Sequence, residues 1–210
     1  MKHKTRFILL LASFFLLLHN FSFAWASDSS VLHIQSVYNS INDLKADFTQ
    51  TTYVEVLETT MKDRGIFMMK RPNKLRIEYK GTQPKNYISN GKKLWVIDPT
   101  SGDVETHLVS RSVPKEALEL LSGFAEMEKL FNVSRFTPKK PQTKYTYLSL
   151  KPKAADVPYS KLDCSFGADG LLHQMTIHNK SGNVSKYVFN NIELNSGLKD
   201  GLFTKQREGS

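Results

Sequence analysis

The fold is decided by one stretch of the sequence, Phe67-Met68-Met69-Lys70-Arg71-Pro72-Asn73-Lys74-Leu75-Arg76-Ile77-Glu78-Tyr79. Its centre, Arg71-Pro72-Asn73, has the composition of a turn, because proline fixes φ and asparagine tolerates left-handed backbone. The flanking residues alternate with a period of two, which is typical of a half-buried antiparallel hairpin. The predicted inward faces carry Phe67, Met69 and Arg71 on the first strand and Leu75, Ile77 and Tyr79 on the second. An arginine that ends an apolar face is the residue that needs explaining.

The same period of two predicts nine further strands along the chain. The eleven predicted strands are 45–57, 61–71, 74–80, 85–90, 92–98, 103–109, 132–137, 144–151, 159–166, 171–179 and 183–194. Asn90-Gly91 between two of them is a strong hairpin signal. Helical periodicity appears at 31–42 after Asp28-Ser29-Ser30, and at two short segments, 114–122 and 124–131.

These elements predict an α+β chain with one large antiparallel sheet. A sheet of about ten or eleven strands curls or closes, so we expect an incomplete antiparallel β-barrel (a half-barrel). The short amphipathic helices are too short to be stable alone and would cover the open side as a lid. The assignment of faces is anchored on Arg71, and a slip of one residue would exchange them.

The first 26 residues have the pattern of a secretory signal peptide. A positive start with Lys2, Lys4 and Arg6 precedes an apolar core at 7–18, and Ala24-Trp25-Ala26 is a small-x-small cleavage site. The alternative is a retained membrane anchor, but the apolar core is short for a bilayer span. We expect export, cleavage, and a single domain at 27–210.

Composition and motifs argue against several function classes. The net charge is +9, but the basic residues are scattered, so nucleic-acid binding is not expected. The histidines lack metal-ligand spacing, and no nucleophile elbow or phosphate loop occurs, so we expect no metal, no cofactor and no catalytic residues. Cys164 is the only cysteine and cannot form an internal disulfide. The abundant Phe, Tyr and Met suit either a packed core or a cavity for flexible apolar groups.

Three motifs in order resemble those of the outer-membrane lipoprotein carrier family, LolA. They are Phe48-Thr49-Gln50, the stretch from Gly65 to Tyr79, and Ile88-Ser89-Asn90-Gly91-Lys92-Lys93-Leu94-Trp95-Val96-Ile97-Asp98-Pro99. The resemblance is strong from 46 to 100 and looser afterwards. The tail departs from the family at Gly201–Ser210, so the final strand is expected to be short or missing.

The resemblance implies a half-barrel with a helical lid and a task in the Gram-negative periplasm. The family takes acylated lipoproteins from an inner-membrane ABC transporter (LolCDE type) and passes them to an outer-membrane receptor (LolB type); a monomer is expected. It also implies that Arg71, which matches the family's arginine before Pro-Asn, holds the lid closed; we call it the latch. Its five donors suit it to satisfy helix carbonyls.

The predicted acyl-facing residues come from the sheet and the lid. The sheet residues are Phe48, Phe67, Met69, Leu75, Ile77, Tyr79, Leu94 and Val96, and the lid residues are Leu118, Leu121, Met127 and Leu130. Three alternatives stay open. They are the family's lipid-anchored receptor, a periplasmic lipid- or glycolipid-binding protein or envelope-stress sensor on the same fold, and an enzyme. Absence of a cysteine after the leader disfavours the receptor, and absence of a catalytic constellation disfavours the enzyme.

Overall fold

Helix α1 (Ser29–Ser40) opens the part of the chain that the computed structural model describes, which is residues 28–81, 83–109, 124 and 126–205. The side chain of Asp28 caps it by accepting a hydrogen bond from the backbone N–H of Ser30 at 2.9 Å. Val31, Ile34 and Tyr38 form a single buried stripe along the helix. The helix starts and ends two residues earlier than the predicted 31–42.

Eleven strands follow within these described residues, as the sequence predicts. They are β1 (Asp43–Val54), β2 (Thr59–Lys70), β3 (Lys74–Tyr79), β4 (Lys85–Ser89), β5 (Lys93–Ile97), β6 (Val104–Leu108), β7 (Phe131–Arg135), β8 (Thr146–Pro152), β9 (Tyr159–Phe166), β10 (Leu172–Asn179) and β11 (Val184–Leu194). The turn between β2 and β3 contains a cis Arg71-Pro72 bond and a left-handed Asn73 (φ 57°).

The strands form one open antiparallel sheet with the order β6-β5-β4-β3-β2-β1-β11-β10-β9-β8-β7. Neighbours in the sheet are neighbours in sequence, except that β1 pairs with β11 and so joins the two halves. The edge strands β6 and β7 do not pair with each other. The sheet is therefore curled but unclosed, which confirms the predicted incomplete barrel.

The lid helices are only partly within the described residues. The predicted helix 114–122, with Leu118 and Leu121, lies outside them. The predicted helix 124–131 is too long, because the structure contains only a single turn there, α2 (Met127–Leu130). Phe131 is already extended (φ −128°, ψ 150°) and pairs with Pro152 of β8. Sheet pairing therefore overrides the helical spacing of the apolar residues at this point.

The core lies between α1 and one face of the sheet, which we call the inner face. Its buried residues include Val31, Ile34 and Tyr38 of α1, Leu44 and Ala46 of β1, Met69 of β2, and Phe124, Met127, Phe131, Leu148, Leu150, Leu162, Cys164, Phe166 and Met175. Residues directly opposite each other in an antiparallel sheet share a face. Leu44 is opposite Met69, which is opposite Leu75, so the apolar face continues across three strands.

The inner face also requires one glycine at a fixed place. Gly65 stands between Phe48 on β1 and Tyr79 on β3. A Cβ at Gly65 would collide with the carbonyl oxygen of Glu78 and would lie 2.7 Å from the Phe48 ring. The missing side chain lets the Phe48 ring lie across β2.

The C-terminal segment crosses to the opposite, outer face after β11. Lys70 and Lys74, the last pair before the β2–β3 turn, both bind the Asp200 carboxylate, at 2.7 and 2.8 Å. Arg76 donates through Nη1 to the carbonyl oxygen of Leu202 at 2.9 Å. Phe203, at the end of a 3-10 helix, is fully buried (0% exposed). Through residue 205, the segment caps the outer face of the hairpin, and no strand follows β11 in this described part of the tail.

The same segment also reaches the junction between α1 and β1. The side chain of Asn195 accepts from the N–H of Asn42 at 2.7 Å and donates to the carbonyl oxygen of Ser40 at 3.3 Å. The buried Asp43 carboxylate accepts from the N–H groups of Ser196 and Gly197, at 2.9 and 3.1 Å. The tail thus fixes the end of α1 and the β2–β3 turn from outside.

Replacement of Gly65 by alanine tests the close approach of Phe48. We expect a loss of about 1–3 kcal/mol in the free energy of unfolding, because the added methyl overpacks a buried site. Gly201→Ala is the matched control, since a Cβ at Gly201 meets no atom within 4 Å. Urea unfolding of both variants measures the difference, and equal stability of the two would contradict this packing.

Replacement of Asp200 by asparagine tests its ion pairs with Lys70 and Lys74, which we call the clamp. Hydrogen bonds from Lys70 and Lys74 hold the pKa of Asp200 at about 2, below its usual 3.8. A lowered pKa in the folded state stabilises it above the unfolded pKa, and this contribution disappears as the pH falls towards 2. Asp200→Asn should therefore be less stable than the native chain at pH 7, with the difference shrinking between pH 4 and pH 2.

The control for this comparison is Glu193→Gln, which removes an exposed carboxylate paired with one lysine, Lys45, at 3.2 Å. Denaturant unfolding at pH 7, 4 and 2 provides the stabilities. An Asp200→Asn deficit that stays constant over this pH range would contradict the clamp.

Candidate functional site

Arg71 lies immediately after β2 and contacts the end of α1. Its backbone N–H donates to the carbonyl oxygen of Asn42 at 2.8 Å, and Nη2 donates to the carbonyl oxygen of Tyr38 at 2.8 Å. The last carbonyls of a helix lack partners within the helix, and a cation there is favoured by the helix dipole. The last turn of α1 has no basic residue of its own, so Arg71 supplies this charge from the sheet.

The guanidinium of Arg71 is only partly hydrogen-bonded. The Nε atom of Arg71 is buried and has no hydrogen-bond partner among the described residues. A buried donor without a partner costs about 1–3 kcal/mol, which offsets much of the gain from the Nη2 bond. The contact therefore holds α1 less strongly than a fully hydrogen-bonded guanidinium would.

The other end of α1 is held by a second arginine. Arg135 of β7 binds Asp28 through Nε at 2.6 Å and Nη2 at 2.8 Å, and Nη2 also binds the Ser30 hydroxyl at 2.9 Å. The hydrogen bonds from Arg135 and from Ser30 lower the pKa of Asp28. Helix α1 is thus tied at one end to β7 and at the other to the β2–β3 turn, and lies across the inner face.

An apolar pocket remains between α1 and the sheet. It is lined by Tyr38, Leu44, Ala46, Phe67, Met69, Phe124, Leu172, Met175, Phe189 and Ile192, and its volume is about 60 Å³. A volume of this size holds only a few water molecules, so no acyl chain fits in it as it stands. Tyr38 and Phe124 fill the space with edge-to-face rings 5.1 Å apart. The arrangement is a closed state in which aromatic side chains occupy the apolar space.

The sheet residues predicted to face acyl chains all lie on the inner face. The register places Phe48, Phe67, Met69, Leu75, Ile77, Tyr79, Leu94 and Val96 on this face. Of these, Phe67 and Met69 line the apolar pocket, whereas the other six lie outside it. Met127 is buried (1% exposed) in the core, and Leu130 packs against it. The role of these residues in acyl binding stays a prediction.

Sequence reasoning missed most of the pocket lining. Leu172, Met175 and Phe189 come from the second half of the sheet, and the motifs there were too weak to orient its strands. Phe189 follows Tyr187 with a clear period of two, which is a signal that β11 itself offered. Ile192 had no such signal, because β11 contains a left-handed Asn191 and an irregularity where it pairs with Lys45–Asp47 of β1. β11 has one residue more than β1 at this irregularity, so its inward and outward positions are exchanged beyond it.

The described residues offer little to catalysis or metal binding. No group of three or more potential metal ligands occurs among them. Burial raises the pKa of the Cys164 thiol, so that it stays protonated. The Ser149 hydroxyl and His178 both bind the Asp163 carboxylate, at 2.7 and 2.9 Å, so this serine is not paired with a histidine base. In the part of the chain described, no helix is both long and apolar enough to span a bilayer.

Comparison with known proteins gives the chain its family. The profile described as "Outer membrane lipoprotein carrier protein LolA" matches residues 39–206. The outer-membrane lipoprotein carrier protein of Pasteurella multocida is 30% identical over 182 residues, which are 87% of this chain and 84% of that protein. The protein of the same name from Nitrosomonas europaea is 25% identical over 175 residues (83% and 84%).

Among solved structures, a LolA superfamily protein from Nitrosomonas europaea has a TM-score of 0.48 and 14% identity. The match covers 84% of this chain and 96% of that one. The assignment itself rests on the profile match, which spans most of the chain, and on the relative at 30% identity. The chain belongs to the LolA family of outer-membrane lipoprotein carrier proteins.

Proposed function

We propose that this protein is a periplasmic chaperone that shields the acyl chains of lipoproteins and delivers them to the outer membrane. The observation that carries the proposal is the hydrogen bond from Arg71 to the Tyr38 carbonyl, which closes α1 over an apolar inner face. The family name supports the carrier role. The proposal assigns residues 1–26 to a cleaved signal peptide and residues 27–210 to one carrier domain that acts as a monomer.

The energetics of the cargo fit a carrier that closes when it is empty. Each buried methylene of an acyl chain contributes about 0.8 kcal/mol, so a lipoprotein anchor needs cover in water. Acyl chains must displace Tyr38 and Phe124, and the Arg71 contact must break for α1 to move. The cost of opening subtracts from the gain of binding. We infer that this difference keeps the affinity low enough for onward transfer.

The direction of transfer requires partners at both membranes. In this proposal an ABC transporter of the LolCDE type loads the protein, and a receptor of the LolB type accepts the cargo. The predicted acyl-facing residues would contact the chains once α1 has moved. A lipid- or glycolipid-binding protein, or a stress sensor, on the same fold is the alternative. Mass spectrometry of the co-purified ligand distinguishes them, because lipoprotein supports the carrier and free lipid supports the alternative.

Replacement of Arg71 by leucine tests the latch. Without the guanidinium the closed state loses its hydrogen bond to Tyr38, so opening costs less and the loaded state is favoured. A hydrogen bond to a charged group contributes about 1.5–3 kcal/mol, and the unpartnered Nε offsets part of this. The variant should therefore hold lipoprotein about tenfold more tightly than the native protein. We expect Arg71→Leu to accept lipoprotein but to deliver less of it to outer-membrane vesicles in a transfer assay.

The matched control is Arg64→Leu, which changes an exposed arginine on the same strand and on the outer face. Its delivery should equal that of the native protein. Normal hand-off by Arg71→Leu would refute the latch while leaving the carrier role intact. Depletion of the protein should, in addition, leave outer-membrane lipoproteins at the inner membrane.

A further inference from the structure

The inner face changes from apolar to polar along β1. Leu44, Ala46 and Phe48 are buried and apolar, and the next inward residues are Gln50 and Thr52. From Leu44 to Gln50 the strand advances about 20 Å. Opposite Gln50 lie Asp63 on β2 and Tyr187 on β11, and opposite Thr52 lie Met61 on β2 and Ser185 on β11. The polar residues therefore form a group on adjoining strands, at the end of the inner face away from Arg71.

Hydrogen bonds join this group across the sheet. The Tyr79 hydroxyl donates to Gln50 Oε1 at 2.9 Å, and Gln50 Nε2 donates to Thr52 Oγ1 at 2.8 Å. Thr52 Oγ1 lies 3.0 Å from Ser185 Oγ. The chain Tyr79–Gln50–Thr52–Ser185, which we call the polar chain, spans β3, β1 and β11. Gly65, which is opposite both Phe48 and Tyr79, leaves this part of β2 without a side chain.

The polar chain is continuous with the apolar pocket. The Phe48 ring meets the Tyr79 ring edge-on at 5.2 Å and the Tyr187 ring at 6.0 Å. Tyr187 stacks on Phe189 with centroids 6.3 Å apart, and Phe189 lines the apolar pocket. A ligand whose apolar part enters the pocket beside Phe189 would reach the polar chain along these rings.

The side chains of the polar chain itself are uncharged and have unused hydrogen-bonding capacity. Burial raises the pKa of both Tyr79 and Tyr187, so both hydroxyls stay protonated. Gln50 Nε2 has a second N–H that can donate to a carbonyl oxygen, and one of the Thr52 and Ser185 hydroxyls keeps a hydrogen that their mutual bond does not use. Among the residues directly opposite the polar chain, Asp63 faces Gln50 and Lys85 faces Tyr79, so one charge of each sign adjoins it. Such a site suits uncharged carbonyl groups better than a carboxylate.

We propose that the polar chain binds the ester and amide groups that link acyl chains to the cysteine of a lipoprotein. The proposal rests on the proposed function and adds the part of the cargo that this function leaves unassigned. An ester or amide that enters an apolar cavity without a partner is penalised by its lost hydrogen bonds with water. The polar chain replaces those bonds at the point where the apolar face ends. The protein would therefore prefer acylated peptides to free fatty acids of the same chain length.

Two ligands and two variants test this assignment. The ligands are a synthetic tripalmitoyl-cysteinyl peptide, which has ester and amide links, and palmitate, which has the same chain with a free carboxylate. The variant Tyr79→Phe removes a hydroxyl of the polar chain and keeps the ring against Phe48. Tyr87→Phe is the matched control, because Tyr87 is also on the inner face and its hydroxyl has no hydrogen bond within the described part of the chain.

We expect Tyr79→Phe to weaken binding of the acylated peptide about 3- to 10-fold, because Gln50 loses the hydrogen bond that orients its amide group towards the ligand. Its Kd for palmitate should change less than twofold, and Tyr87→Phe should leave both Kd values unchanged. Isothermal titration calorimetry measures them. Equal weakening for both ligands, or no weakening for either, overturns the assignment while acyl binding stands. If the native protein binds neither ligand, the proposed function fails with it.

Discussion

The closed structure depends on one helix held across an open sheet. A half-barrel leaves its apolar inner face uncovered, and water contact with that face would be unfavourable. Helix α1 covers it, but α1 has only twelve residues and would be marginal alone. It is therefore fixed by arginines at both ends, Arg135 at the Asp28 cap and Arg71 at the Tyr38 carbonyl. These contacts keep the inner face covered.

The two arginine contacts differ in a way that bears on function. Arg135 makes a bidentate ion pair with a carboxylate, whereas Arg71 makes one bond to a backbone carbonyl and leaves its Nε without a described partner. The end of α1 near Arg71 is also the end that contacts the C-terminal segment through Asn195. Opening at this end would break the bonds from Arg71 and Asn195, whereas opening at the other end would break the exposed ion pair between Arg135 and Asp28.

Much of this arrangement was predictable from the sequence, because period-two alternation determines both strand and face. All eleven strands were predicted, and the position of Arg71 fixed the parity of the first half of the sheet. What the sequence did not provide has physical causes. Phe131 sits at helical spacing but joins a strand, since pairing with β8 outweighs local periodicity. The irregularity near Asn191 reverses parity, so Ile192 reaches the pocket against the pattern. The small size of the pocket depends on ring packing between Tyr38 and Phe124, which are 86 positions apart and show no mutual signal in sequence.

Among the residues that the structure describes, the sheet order leaves β6 and β7 as two unpaired edges. In a closed barrel, widening the interior means stretching or breaking ladder hydrogen bonds around the whole circumference. An open sheet can widen at a lower energetic cost. Its strands change their twist relative to one another slightly, and the two edge strands move apart while all the hydrogen bonds between strands are kept. The volume gained in this way is spread over ten strand pairs, so none is strained much. The molecule could thus accommodate lipoprotein anchors of different sizes by changing the curvature of the sheet, and return to its narrower form after release.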